Sequence, residues 1–357
     1  MEMRALIGNR FGTIIAEIVG DIDATSWILN GIGKSGITLS KDDPMATAEN
    51  LRINNRLYLQ FDNGLPAWGG ILGLPRDWDS GTVGMAAYGI EELLKYHKTQ
   101  KTDAFYERPA GVIFRELLRR EEAQDPMGIT IGEIWQGGNP HWPRYHYKSL
   151  WYVLDYSLRQ MEICDFRFIP YIDNGTIKFR ANFYQVAGDD KSASVELTEG
   201  RNTASGLKLR EQGELINSYT AVGEGSTWGP ERSVIVAQYQ DSIAKYGLME
   251  VGKVHAGVSQ QATLEMHARN AINTHAEPRK LFTLPVVDRE PAKYAAYDLG
   301  DTIRATLPSF GFDGFDGDLR VIGREFDPAT GECELVVEEP HTFEPWIQDE
   351  DIEVEED

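Results

Sequence analysis

Short apolar runs at strand spacing open the chain. Arg10–Val19, Ser35–Leu39 and Asn55–Phe61 read as strands, and the last alternates polar with apolar residues as a half-buried strand does. Asn30–Gly31 marks a turn, because both residues tolerate positive φ. Asp62–Gly64 closes a hairpin into Pro66–Leu72, and Thr82–Tyr88 is a further strand leading through Gly89 into a short helix, Ile90–His97. Strands this short, joined by turns, predict a small barrel or sandwich.

The period then changes. Ala110–Arg120 places Ile113, Leu117 and Leu118 on one face with Phe114 beside them, which is an amphipathic helix. Ser149–Met161 reads as a second helix with Ser149 as its N-cap. Asp165–Ile169 and Thr176–Arg180 flank Asp173–Gly175, a hairpin with a type I′ turn. These pieces form an α+β insert that ends near the polar stretch Gly188–Ser194. From about Gly213 the β character returns. Glu214–Val222 and Arg232–Tyr239 flank the loop Gly223–Pro230, a helix spans Thr263–Asn273, and a strand follows at Lys280–Val287. Next come the turn-rich Tyr297–Thr306, a strand at Leu319–Phe326, the turn Asp327–Gly331 and a strand at Glu332–Val337. There is no exact tandem repeat, yet both ends follow one outline of strands, a helix, and strands again.

A chain of 357 residues is long for one core, so two or three domains are expected. Its 41% apolar and 25% charged residues are those of a globular protein. The longest apolar runs fall far short of the roughly 20 residues a bilayer requires, so no membrane-spanning segment is expected. The N-terminus carries no signal-peptide pattern, and Cys164 and Cys333 are too few for a disulfide scaffold, which fits synthesis in a cytoplasm. The formal charge of −21 opposes nucleic-acid binding by phosphate neutralisation. The segment Glu344–Asp357 holds eight carboxylates and neither Lys nor Arg. It reads as a solvated tail or as a strip docked on a basic partner, with Trp346 and Ile347 as its anchors.

Candidate chemistry is sparse. Histidines stand at 97, 141, 146, 255, 267, 275 and 341, and none has HExxH spacing. His267 and His275 are expected at a surface or helix end. His141 and His146 lie in the aromatic loop Gly137–Tyr147, which is read as packing on the insert, with sugar stacking or protein docking as the alternative. Asp313, Asp316 and Asp318 crowd a glycine-rich run that misses the calcium-loop spacing and its closing Glu, so a plain hairpin is expected. No nucleophile elbow, P-loop or Rossmann fingerprint occurs, and no carboxylate pair stands out by spacing. The reading is of a protein that is not an enzyme, with no catalytic, cofactor-binding or metal residues.

Gln238–Gly247, Ala262–Ala268, Gly300–Asp301 and Leu319–Arg324 resemble the C-terminal half of the tail hub proteins of tailed bacteriophages, the baseplate-hub or tail-associated minor tail family. Pro66–Leu72 followed by Gly89–Leu94 is similar to their N-terminal half. The resemblance spans nearly the whole chain and rests on the order of the motifs. It implies a β-rich α+β fold with two tube-type β-barrels, at residues 1–97 and 212–343, an insert at 98–211 and the acidic tail at 344–357. It further implies a virion structural protein: a homotrimer that joins a six-fold tail tube to a three-fold tip and lets DNA pass unbound during genome ejection. Its partners would then be distal tail or tube proteins, the tape measure protein, and tip or fibre proteins. The chain departs from the pattern in carrying a short acidic tail where a hydrolase or fibre extension is expected. A rival reading is a carbohydrate-binding receptor module that uses the aromatics of Trp135–Tyr147.

Overall fold

The computed structural model describes residues 3–101, 103–159, 162–224, 233–255, 258, 260–311, 314–340 and 346–349. It is β-rich, with few helices. A seven-stranded antiparallel sheet takes the order Ile14–Ile18, Met3–Gly8, Arg56–Phe61, Trp68–Trp78, Thr82–Gly89, Lys34–Ser40 and Asp21–Ile22. A second large sheet runs Glu196–Thr198, Thr302–Leu307, Phe315–Asp327, Glu332–Glu338, Arg279–Val286 and Lys208–Gln212. Its seventh strand, Thr25–Ile28, comes from the N-terminal part of the chain and pairs antiparallel with Gly323–Phe326. Neither sheet closes on itself in this order.

Between them lies the insert. Helix α1 (Ala110–Gln124) packs on a three-stranded sheet of Ile129–Ile134, Thr176–Tyr184 and Asp165–Asp173. The face expected from sequence is the buried one: Ile113, Phe114, Leu117 and Leu118. The hairpin turn is left-handed at both central residues, with Asn174 at φ 48° and Gly175 at φ 74°, as type I′ requires. Ser149 does cap, its Oγ accepting the Tyr152 amide at 3.1 Å. The turn that follows, Tyr152–Leu158, winds wider than an α-helix, as a π-helix. A fourth sheet, Glu250–Val254, Ser218–Val222, Val234–Gln238 and Trp346–Asp349, carries helix α2 (Gln240–Tyr246) after its third strand. Helix α3 (Gln261–His275) covers it.

Three apolar clusters hold these layers. The largest is shared by the two large sheets, joining Leu39, Leu59 and Leu72 to Phe282, Val321 and Leu335. The second packs the far face of the first sheet (Leu6, Tyr58, Ile71) against α1 and the insert sheet. That corrects the expectation of a half-buried strand at Asn55–Phe61. Leu57, Leu59 and Phe61 enter one cluster and Tyr58 the other, while buried Arg56 donates to the Met127 carbonyl at 2.8 Å. The strand looks amphipathic in sequence because its Arg is a buried polar anchor. The third cluster joins the four-stranded sheet to α3, with Ile347 packed against it. The acidic segment is therefore tied down at Trp346–Asp349, antiparallel to Val234–Gln238.

Where the first sheet, the insert and the second large sheet meet, one ion pair organises the backbone. Asp165 opens an insert strand and is buried, as is most of Arg320. The Arg320 guanidinium donates to the Asp165 carboxylate, to the Ala187 carbonyl at 3.0 Å and to the Gly300 carbonyl at 3.2 Å. Asp165 also accepts from the Asn30 side chain at 2.6 Å and the Ala187 amide at 2.8 Å. Backbones touch here: a Cβ on Gly188 would lie 2.1 Å from the Gly300 carbonyl carbon, and Gly188 sits at φ +88°. Next to it, buried Asp301 accepts the amides of Asp189 and Asp298, each at 2.8 Å, and pairs with Lys191 at 2.7 Å.

Replacing Asp165 with Ala leaves the guanidinium facing a buried, unpaired site. Chemical denaturation should register a loss of about 3–5 kcal/mol, and Asp165→Asn a smaller one. Ending the chain after Phe343 uncovers Val234–Gln238. Hydrogen exchange should then quicken at those amides and stay unchanged at Arg56–Phe61.

Candidate assembly surface

The chemistry this fold presents lies at sheet edges and in open clefts. The edge strand Ile14–Ile18 is touched by the insert hairpin at its start, where Thr13 bridges Thr176, and beyond that no described strand pairs with its outer edge. Phe11, Ile15, Val19 and Ile53 are exposed around it, Val19 to 88%. A hollow of about 500 Å³ lies between Asn9–Phe11, Ile15 and Glu49–Asn55. It shares Arg10, Ile53 and Asn54 with a cleft of about 860 Å³ bounded by Glu92–Lys98 and Glu121–Met127. Both charge signs line that cleft. His97 Nδ1 stands 3.6 Å from Glu121, and Arg120 pairs with Glu121 at 3.1 Å and with Asp103. Burial lowers the Arg56 guanidinium to about 10, partly offset by Glu122 and Asp125, and it remains charged at neutral pH.

The second large sheet ends in Lys208–Gln212, exposed over most of its length, with Leu209 facing outward. The four-stranded sheet ends in Glu250–Val254, beside exposed Leu248, Met249 and Val254. An uncovered edge carries a row of unpaired N–H and C=O groups, a template for another strand. Arg4 and Glu17 bridge the first ladder at 2.9 Å, but both are about half exposed and add little.

The residues singled out in the sequence fall in several places. His97 lines the cleft, His146 is exposed, and His275 ends α3, while His341 and Asp313 lie outside the described residues. Asp316 and Asp318 stand on a strand of the Thr302–Asp327 hairpin and face Arg304 at 2.7 and 3.5 Å. Among the described residues no group of three or more His, Cys, Asp or Glu is arranged to hold a metal. In the aromatic loop, His141 and Tyr145 are buried and Trp135 packs against the insert core, leaving Trp142 and Tyr147 exposed. Cys164 and Cys333 are both buried, and burial raises both thiols, Cys333 to about 11. Two arrangements had no sequence signal. One is the stacked pair of His255 and His267, twelve positions apart and brought together only by the packing of α3. The other is Glu91, whose carboxyl burial pushes up to about 8, in a cavity of about 110 Å³ between Trp27, Trp68 and Arg167.

Comparison with solved structures decides the fold. The 43 kDa tail protein of prophage MuSo2 from Shewanella oneidensis superposes with a TM-score of 0.62 at 13% identity, covering 95% of this chain and 98% of its own. The tail protein from Neisseria meningitidis MC58 gives 0.61 at 11% identity, covering 95% and 97%. This chain has the fold of phage tail proteins. Prophage tail protein gp18 from Listeria monocytogenes EGD-e agrees, at 0.59 and 12% identity over 94% of both chains. No family model matches the chain, and a search of curated proteins finds no match. The likeness to tail proteins read from motif order thus appears as shared fold along almost the entire length.

Asp316 and Asp318 serve Arg304 and the Thr306 hydroxyl in exposed contacts, so replacing both with Asn should change stability by less than about 1 kcal/mol. Calcium titrated into the wild-type chain should release no heat beyond dilution.

Proposed function

We propose that this chain is a structural protein of a phage tail, forming a trimeric hub at the distal end. The observation that carries the reading is the end-to-end likeness of fold to phage tail proteins, matched in length as well as in topology. In this reading residues 1–97 and 212–343 supply most of two tube-type units, with 98–211 as the insert between them and 344–357 as the tail; Thr25–Ile28, Glu196–Thr198 and Lys208–Gln212 cross those bounds to join the second large sheet. Each large sheet is open, so neighbouring copies would complete it. Ile14–Ile18 of one copy and Lys208–Gln212 of the next are edges free to pair. Three chains would set six such units in a ring, matching a six-fold tube to a three-fold tip.

The charge of −21 suits a channel that DNA crosses without sticking. Distal tail or tube proteins, the tape measure protein, and tip or fibre proteins are the partners this place in a virion implies, with synthesis in the host cytoplasm. The role proposed is non-enzymatic. The rival reading, a glycan-binding module, loses half of its platform, because His141, Tyr145 and Trp135 are engaged in packing while Trp142, His146 and Tyr147 stay exposed.

Light scattering on the purified chain should give a mass near three times 40.1 kDa. Cryo-microscopy should show strand pairing between copies that buries well over about 1,000 Å² per contact. A monomer with measurable glycan affinity would sink the hub and favour the rival.

A further inference from the structure

The joint between α3, the four-stranded sheet and the insert is built around imidazoles. His255 follows the edge strand Glu250–Val254, and His267 lies mid-way along α3. Their rings stack 4.3 Å apart with planes 15° from parallel. His255 Nε2 meets the Tyr219 hydroxyl of the neighbouring strand at 3.1 Å. The insert closes over the same spot. Asn139 of the aromatic loop donates to the Met266 sulfur at 3.4 Å, one residue from His267. Buried His141 holds its Nε2 3.3 Å from Glu162, whose carboxylate also accepts the Asn139 amide at 2.6 Å.

We propose that the His255–His267 stack is an acid-released latch, which holds the insert loop and α3 against the four-stranded sheet while both rings are neutral and lets them part once both are charged. Two facing imidazolium rings at this separation repel, and more strongly in a half-buried site than in open water. Among the described residues, the charged groups around the pair do not relieve that. Lys253 on the edge strand and His141 on the insert add positive charge, Tyr219 offers only a hydroxyl, and on α3 Glu265 is engaged by Arg269 at 2.8 Å. Glu162 is already shared between His141 and the Asn139 amide.

Burial holds each ring well below the ordinary histidine value, at about 4. A group whose value is lowered in the closed state favours closure above its free value, and that preference fades as pH falls toward the lowered one. The working window is therefore from about 6.5 down to about 4. At pH 5 two such rings acting independently multiply the open-to-closed ratio by roughly 10³.

The test uses the full chain, with amide protection factors measured by hydrogen exchange at pH 7.5 and pH 5 and corrected for intrinsic rates. Amides of Gln261–His275 and those of Asn139 and His141 should lose about 10²- to 10³-fold protection at pH 5, while those of Arg56–Phe61 hold. In His267→Phe, which keeps an aromatic ring in the stack, the loss should shrink by about 30-fold. An equal loss in the variant, or none in the wild type, overturns the latch. Should the variant misfold, NMR titration of the wild-type imidazoles decides. Both rings titrating near 6.5 with the joint still closed overturns it, and both titrating near 4 as the joint opens supports it.

Discussion

The Asp165–Arg320 pair is the constraint on which the arrangement of sheets depends. A charge taken from water must be met by opposite charge and by hydrogen bonds, or the cost exceeds what packing returns. Here the two groups come from parts of the chain 155 positions apart, and each satisfies backbone groups of a third part. The apolar clusters favour burying the sheets against one another and tolerate small slides. The guanidinium, with three fixed acceptors, does not. Asp301 and Arg167, which pairs with Asp298 at 3.0 Å, extend the same network, so insert and second sheet share one polar frame.

That frame explains which parts of the structure were legible in the sequence. Strands and turns with local signals were read correctly: the type I′ turn at Asn174–Gly175, the apolar face of α1 and the Ser149 cap all follow from spacing within a few residues. The motif order behind the resemblance included Gly300–Asp301 and Leu319–Arg324, and these positions fall in the polar frame. Loose as each motif is, it marks a place where backbones touch or a charge is buried.

What stayed hidden is non-local. Arg56 gives a strand the look of a solvent-facing side, because sequence shows its charge and not the Met127 carbonyl waiting 71 positions away. His255 and His267 carry no spacing rule, since α3 and the edge strand meet only through tertiary packing. Helical period anticipated a helix at Ser149–Met161 but not its widening to a π turn, which is set where Tyr152 and Tyr156 stack at 5.0 Å and Tyr145 bonds Ser157.

The strand Thr25–Ile28 has a consequence for how this molecule is made. It leaves a ribosome roughly 300 positions ahead of its partner, Gly323–Phe326. A chain emerging at about 5–20 residues per second would keep that strand unpaired on its outer edge for on the order of half a minute. The first sheet can assemble early, but the second cannot finish until Phe315–Asp327 and Glu332–Glu338 are out. Folding here is completed from a late segment back to an early one, and during that interval the waiting edge is open to the wrong neighbour.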